Sequence, residues 1–231
     1  MTPELLALLQ SVDTPTVCNA IEVAEGRRGF AAFTRGTVIC TAPDEPPVVG
    51  YAVTAQLAAK SPPDEDAAVI RARRMDYYRA MADALKPAVA VIEDLDYPDC
   101  IGAYWGELNT TVHKAFGIAG VLTNGVVRDL GDLPEGFPVI AGSIGPSHGF
   151  VHIKTLGRPV TVFGLVVRSG DLIHADRHGA VVIPPGVIPV LADAIRKLQL
   201  TERIVLDAAE AQGFNFDTFA QAWARFEAAR T

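Results

Sequence analysis

The stretch GVLTNGVVRDL, residues 120–130, ends an apolar run with Asn124-Gly125 and then sets a guanidinium beside a carboxylate, Arg128-Asp129. An arginine takes a carboxylate through two parallel hydrogen bonds, and an aspartate can hold a hard divalent cation. Adjacent side chains diverge by about 100° on a helix and point to opposite faces of a strand, so such a pair can divide the work on one ligand only across a turn. An α-keto acid is a ligand that would use both groups. By itself the pair also fits an ordinary solvated surface contact, and Asn-Gly an ordinary turn. A second stretch, GAYWGEL at 102–108, is a glycine-rich loop entering a helix, where unpaired backbone N–H groups can receive a carboxylate or enolate oxygen.

The elements that must position these residues follow from periodicity and punctuation. Residues 3–10 are patterned as a helix, and Thr14-Pro15 reads as a cap followed by proline in the first turn, which predicts a second short helix. TVICTAP and VVGYAVTAQLAA are Val-rich strands, and residues 61–87 open with capping and acidic residues and carry helical periodicity. AVAVIEDLD reads as a short buried strand ending in acids, WGELNTTVHKAFG as a loop and a helix stopping at Gly117, and IAGVLTNG as another strand. Strand, helix, strand favours parallel pairing, with ligands at the carboxyl ends of the strands, and Arg128 and Asp129 lie just past such an end. After Pro138, PVIAGS, RPVTVFGLVV, DLIHA and GAVVIP predict short strands in hairpins, and two helices should occupy the C-terminal part. The expectation is one α/β domain, 1–231, with a C-terminal helical extension from about 185.

With 231 residues, 49% of them hydrophobic, the chain can bury a sizeable core. A net charge of −7 and the absence of any Lys/Arg run exclude the electrostatic footprint of a nucleic-acid binder. An anionic substrate then needs a local cation, which Arg128 supplies. Cys18, Cys40 and Cys100 lack disulfide or zinc spacing and read as thiols in a reducing cytoplasm. Neither a signal sequence nor an apolar stretch of spanning length is visible, so no membrane partner is expected. The glycine spacing of a Rossmann fold and the G-K-[ST] of a P-loop are both missing.

Taken together, GAYWGELNTTVHKAFGIAGVLTNGVVRDLGDL, then FPVIAGS, then GRPVTVFGLVVRSGDLIHADRHGAVVIP resemble the RraA-like family, which includes the class II 4-hydroxy-4-methyl-2-oxoglutarate aldolases. The resemblance implies an α-β-β-α sandwich of the swivelling-domain type, assembled as a homotrimer or homohexamer with sites between subunits. It implies that Asp129 anchors Mg²⁺ or Mn²⁺ largely through water and that Arg128 contacts the substrate. It further implies that backbone amides of Gly106, Glu107 and Leu108 receive a pyruvoyl carboxylate, and that Glu107 helps Arg128 position a water. Glu202 would match an acid contributed by a neighbouring subunit through water. The implied activity is cleavage of a C–C bond in a small 4-hydroxy-2-oxo acid, or decarboxylation of oxaloacetate, through a metal-stabilised pyruvate enolate. The same family also contains a non-catalytic regulator that binds a ribonuclease complex. Two departures stand out: Asn124 where the family often has Asp, which serves the turn equally well but removes one negative charge near the implied metal, and Asn19 where the family usually has an acid.

Other constellations compete. His174, Asp176 and His178 would share a strand face, and His148 and His152 a helical face, as metal ligands do. A hairpin turn at 176–179 explains the first set better, and His148 reads as a pocket residue. Glu93, Asp94, Asp96 and Asp99 lack the spacing of a calcium loop and read as a solvated strand end.

Overall fold

In the computed structural model, which describes residues 1–230, the innermost strand is Ala88–Asp94. Its first five residues have no solvent exposure: Ala88, Ala90 and Ile92 enter one core and Val89 and Val91 another. This is the period of two of a strand, and the run is continuously apolar because both faces are covered. In chain order the strands are β1 (Ile39–Cys40), β2 (Val48–Ala58), β3 (Ala88–Asp94), β4 (Ala103–Trp105), β5 (Ile118–Thr123), β6 (Val126–Val127), β7 (Val139–Ala141), β8 (Ser143–Ile144), β9 (His152–Leu156), β10 (Val160–Val162), β11 (Leu165–Val167), β12 (Leu172–Asp176) and β13 (Gly179–Ile183).

The main sheet runs β1-β7-β5-β3-β2-β12-β13, with β2, β3, β5 and β7 parallel and its outer strands antiparallel. The long β2 gives its first half to β12 and its second half to β9, so the sheet curls. Helices α3 (Ala67–Asp83) and α4 (Glu107–Ala115) flank one face, where Tyr77, Met81 and Trp105 are buried. The β10–β11 hairpin closes the other face. Helices α1 (Pro3–Gln10), α2 (Thr14–Glu25) and α5 (Leu191–Glu210) pack around β12 and β13, and α6 (Phe216–Arg230) lies on α5, burying Ala222 and Phe226. The result is the expected α/β fold, with layers in α-β-β-α order. Among the described residues no helix is long and apolar enough to cross a membrane.

Three local features depart from the sequence reading. The cap of α2 is Asp13, whose side chain accepts from Thr16 N–H, and Thr14 is already helical. Helix α3 starts at Ala67, later than the start of the 61–87 segment, and its cap is Asp66, the last of the acidic residues that open that segment. Most consequential is a small parallel sheet, β4-β6-β8, that no periodicity announced. It places β6 between the Asn124-Gly125 turn and Arg128, so the pair follows this second strand rather than β5 directly.

Candidate active site

Helix α4 begins without a side-chain cap of its own, because its N-cap residue is Gly106. The cap comes from 22 residues downstream: the Glu107 N–H donates to Asp129 Oδ2 at 3.1 Å. Asp129 reaches that position from a left-handed backbone, φ 56°, immediately after Arg128. Arg128 in turn is held by its N–H on the Trp105 carbonyl at 2.8 Å, and its Nε lies 3.5 Å from Asp129 Oδ2. The turn therefore directs both side chains to one point instead of dividing them. Gly106 makes this possible. A Cβ there would sit 2.4 Å from Asp129 Oδ2 and 2.9 Å from Arg128 Nε, so any side chain would displace the pair.

The site is left with unused bonding capacity. The Leu108 and Asn109 N–H groups belong to the first helical turn and have no intrahelical acceptor. Arg128 Nε is buried without a hydrogen bond, while the side chain as a whole is 34% exposed, which leaves its terminal nitrogens accessible. Asp129 Oδ1 accepts no hydrogen bond among the described residues. Glu107 and Leu108 are exposed at the helix entry. Glu202 lies on α5, which packs on α2 and α6, and is not in the cleft beside Arg128.

Among the described residues no three His, Cys, Asp or Glu side chains gather as a ready-made metal cage. A Mg²⁺-like ion keeps several waters and binds through one or two carboxylates plus its substrate. The open Oδ1 of Asp129 fits that requirement and does not fit a fully protein-ligated ion.

Beside Arg128 a cleft of about 330 Å³ opens between α3, α4 and the segment leading into β9. Arg74, Tyr78, Tyr104, Arg128, His148 and His152 line it, and no Asp or Glu does. His148 and His152 do not share a helical face: the first is in a loop, and the second opens β9.

The RraA-like family model, described as Aldolase/RraA, matches residues 14–182. The chain belongs to the RraA-like family. A relative from Halalkalibacterium halodurans, provisionally named a 4-hydroxy-4-methyl-2-oxoglutarate aldolase, is 31% identical over 141 residues, which is 60% of this chain and 60% of that protein. The chain thus matches about half to three-fifths of the length of its first curated relatives. A solved protein from Pseudomonas syringae superposes with a TM-score of 0.70 at 21% identity, covering 96% of this chain and 98% of its own. Streptomyces coelicolor RraAS2, described as an unusual member of the RNase ES inhibitor RraA family, gives 0.66 at 22% identity over 91% and 98%. At these identities the two structures establish the fold.

Elsewhere in this RraA-like chain the competing constellations are structural. His174 has no exposure, with Nε2 at 2.9 Å from the Leu9 carbonyl and Nδ1 at 2.9 Å from the Thr14 hydroxyl. A carbonyl only accepts, so Nε2 carries the hydrogen, Nδ1 accepts, and neither is left for a metal. Burial pushes this imidazole's pKa down, opposed by its hydrogen bonds. For Asp176 burial works against ionisation, but the Thr14 and His178 N–H groups outweigh it and the pKa is lowered.

The acidic strand end is solvated at Asp99 and not at Asp94. Asp94 is 1% exposed, and Asp96 Oδ2 accepts from the Ala59 and Lys60 N–H groups at 2.6 and 2.9 Å. Asn124 is also removed from the charge role expected of it. Its Oδ1 accepts from Asp94 N–H at 2.7 Å and its Nδ2 donates to the Asp94 carbonyl at 3.2 Å, extending the β3–β5 pairing by one side-chain bridge. An aspartate would lack the donor.

The sequence reading passed over His113 and its neighbours. Burial lowers the His113 pKa to about 4, its Nδ1 lies 2.6 Å from the Asn109 carbonyl, and its Nε2 is 2.7 Å from Tyr77 Oη. Asn109 continues this network to the cleft wall, donating to the Tyr104 carbonyl and accepting from Tyr78 Oη at 2.6 Å. The i, i+4 spacing of Asn109 and His113 was the available signal.

Proposed function

We propose that this RraA-like protein is a divalent-metal-dependent lyase that cleaves a C–C bond in a small 4-hydroxy-2-oxo acid or in oxaloacetate, yielding pyruvate or a related 2-oxo acid. The observation that carries the reading is the joint seat of Arg128 and Asp129 against the bare N-terminus of α4, open only because residue 106 is glycine. Arg128 presents its terminal nitrogens to the substrate carboxylate, and the free first-turn N–H groups beginning at Leu108 add a second set of donors. Glu107, exposed beside them, holds with Arg128 a water that returns a proton to carbon. When bound at Asp129, Mg²⁺ or Mn²⁺ supplies Lewis acidity toward the substrate's carboxylate and keto oxygens. Cleavage of a hydroxy acid also requires a proton acceptor for the hydroxyl, which decarboxylation does not. The reading extends to a cytoplasmic homotrimer or homohexamer in which Glu202 of a neighbouring copy completes the site, consistent with its place away from Asp129 within one chain.

Pyruvate release from oxaloacetate and from 4-hydroxy-2-oxo acids, measured with Mg²⁺ or Mn²⁺ and after chelation, tests it. Metal-dependent release is expected. Failure with every acid and metal, together with tight binding to a ribonuclease complex, would replace the lyase with the regulator.

A further inference from the structure

The cleft beside Arg128 carries more positive charge than one substrate carboxylate requires. Arg74 lines it from α3 together with Ile70 and Tyr78, three residues at i, i+4 and i+8 that form one helical face. The neighbouring Arg73 is neutralised, with its guanidinium paired to Glu65 and a further bond to the Ile153 carbonyl. Arg74 has no such acid partner among the described residues, and no carboxylate lines the cleft. His148 and His152 line the cleft as well, each with Nδ1 tied to a backbone carbonyl, at 2.7 and 2.8 Å, which leaves Nε2 as the ring atom with spare capacity. In a chain of net charge −7, a concavity holding two arginines and no acid is a local reversal of sign that concentrates anions.

We infer that Arg74 is a specificity-determining residue: it receives the second, distal carboxylate of a dicarboxylic 2-oxo acid whose first carboxylate is seated at Arg128 and the N-terminus of α4. The seat of the first carboxylate rests on the lyase reading; the distal subsite rests on the cleft. Tyr78 and Tyr104 also line the cleft and offer ring surface to pack against the carbon chain. The ligand is thus a small dianion, and the monocarboxylic acid that lacks only its distal carboxyl loses one anchor.

Equilibrium binding of 2-oxoglutarate and of 2-oxobutyrate, measured calorimetrically with Mg²⁺, separates the possibilities without turnover. The wild-type protein should prefer the dicarboxylate by about ten- to 150-fold, the range of one charge-assisted hydrogen bond. Arg74→Met, which keeps the aliphatic stem and helix propensity, should erase that preference while leaving 2-oxobutyrate binding unchanged. Arg71→Met, on an exposed arginine outside the cleft, should keep it. Equal wild-type binding of the two acids, or a preference that survives Arg74→Met, overturns the subsite. So does an equal loss for both acids, which would make the arginine a diffuse field. A preference that depends on Arg74 in a protein with no metal-dependent turnover upholds the subsite and rejects the lyase.

Discussion

At the N-termini of α2 and α4 a distant aspartate accepts a backbone N–H, and the two aspartates have opposite characters. At α2, Asp176 Oδ2 accepts from Thr14 N–H at 2.8 Å and Oδ1 accepts from His178 N–H at 2.8 Å, with the side chain only 10% exposed. At α4, Asp129 Oδ2 accepts from Glu107 N–H, Oδ1 accepts no hydrogen bond among the described residues, and the side chain is 38% exposed. The difference begins in sequence: α2 has its own cap in Asp13, whereas α4 has only Gly106. One aspartate is spent on structure, and the other keeps spare bonding capacity beside an arginine with free terminal nitrogens. Residue type alone would have ranked the His174-Asp176-His178 set higher as a metal site; unsatisfied capacity ranks it lower.

The largest effect should come from separating the two jobs of Asp129. Asparagine caps a helix about as well as aspartate, because both offer a side-chain oxygen to the first-turn N–H groups. Asp129→Asn should therefore leave the melting temperature nearly unchanged while lowering metal-dependent pyruvate release about 10³-fold, roughly 4 kcal/mol of transition-state stabilisation. At the closed site the same change should do the reverse. Asp176→Asn puts an amide where two oxygens accept, so stability should fall by about 1–3 kcal/mol with turnover per folded molecule retained. Full turnover in Asp129→Asn would reduce both aspartates to caps.

A second effect is read in pH. His113, on the open-site helix, is held neutral by burial with a folded pKa of about 4 against 6.5 in the unfolded chain. Between those values the unfolded state binds more protons, so stability is complete above pH 6.5 and falls as pH drops toward 4, by about 3 kcal/mol in total. The buried His174 contributes in the same direction. Urea unfolding at pH 7, 5.5 and 4.5 should show this slope, and His113→Gln should flatten it. A slope unchanged by that substitution would place the acid sensitivity elsewhere.

Next in size is Gly106→Ala. The backbone there, φ −148° and ψ −172°, is extended and suits alanine, so the added methyl strains the Asp129 carboxylate and not the main chain. Turnover should drop about tenfold to a hundredfold through misplacement of the pair, with a smaller loss of stability. Unaltered turnover would mean that Asp129 has room its position does not suggest.

The strands and helices were legible where burial imposes a period, as in β3, β5 and α5, because covering one or both faces writes a repeating apolar pattern. The β4-β6-β8 sheet was not, since strands of two or three residues are too short to show any period, and they exist only through pairing with one another. Arg128, Asp129 and Gly106 could be named from the sequence, but their convergence could not: it depends on the left-handed Asp129 and on a contact across 22 residues. Arg74 was invisible for another reason. Nothing in RARR tells which arginine Glu65 neutralises.

Asn124 gives the smallest and sharpest comparison. The sequence reading took it as a charge missing from the metal's surroundings, but both ends of its amide are bonded to the Asp94 backbone and the residue is 4% exposed. Asn124→Asp replaces the Nδ2 donor with an acceptor facing the Asp94 carbonyl, and buries a carboxylate near Asp94, whose own pKa burial already raises. The cost should be about 1–2 kcal/mol at pH 7, from one lost buried hydrogen bond and an acceptor without a donor. A carboxyl raised above its unfolded pKa destabilises where it must ionise, so the deficit should shrink as pH falls toward 4, when protonation restores a donor. Chemical denaturation of both proteins at pH 7 and 4.5 measures this. A deficit that stays constant with pH, or a variant with tightened metal binding and no loss of stability, would return residue 124 to the metal site.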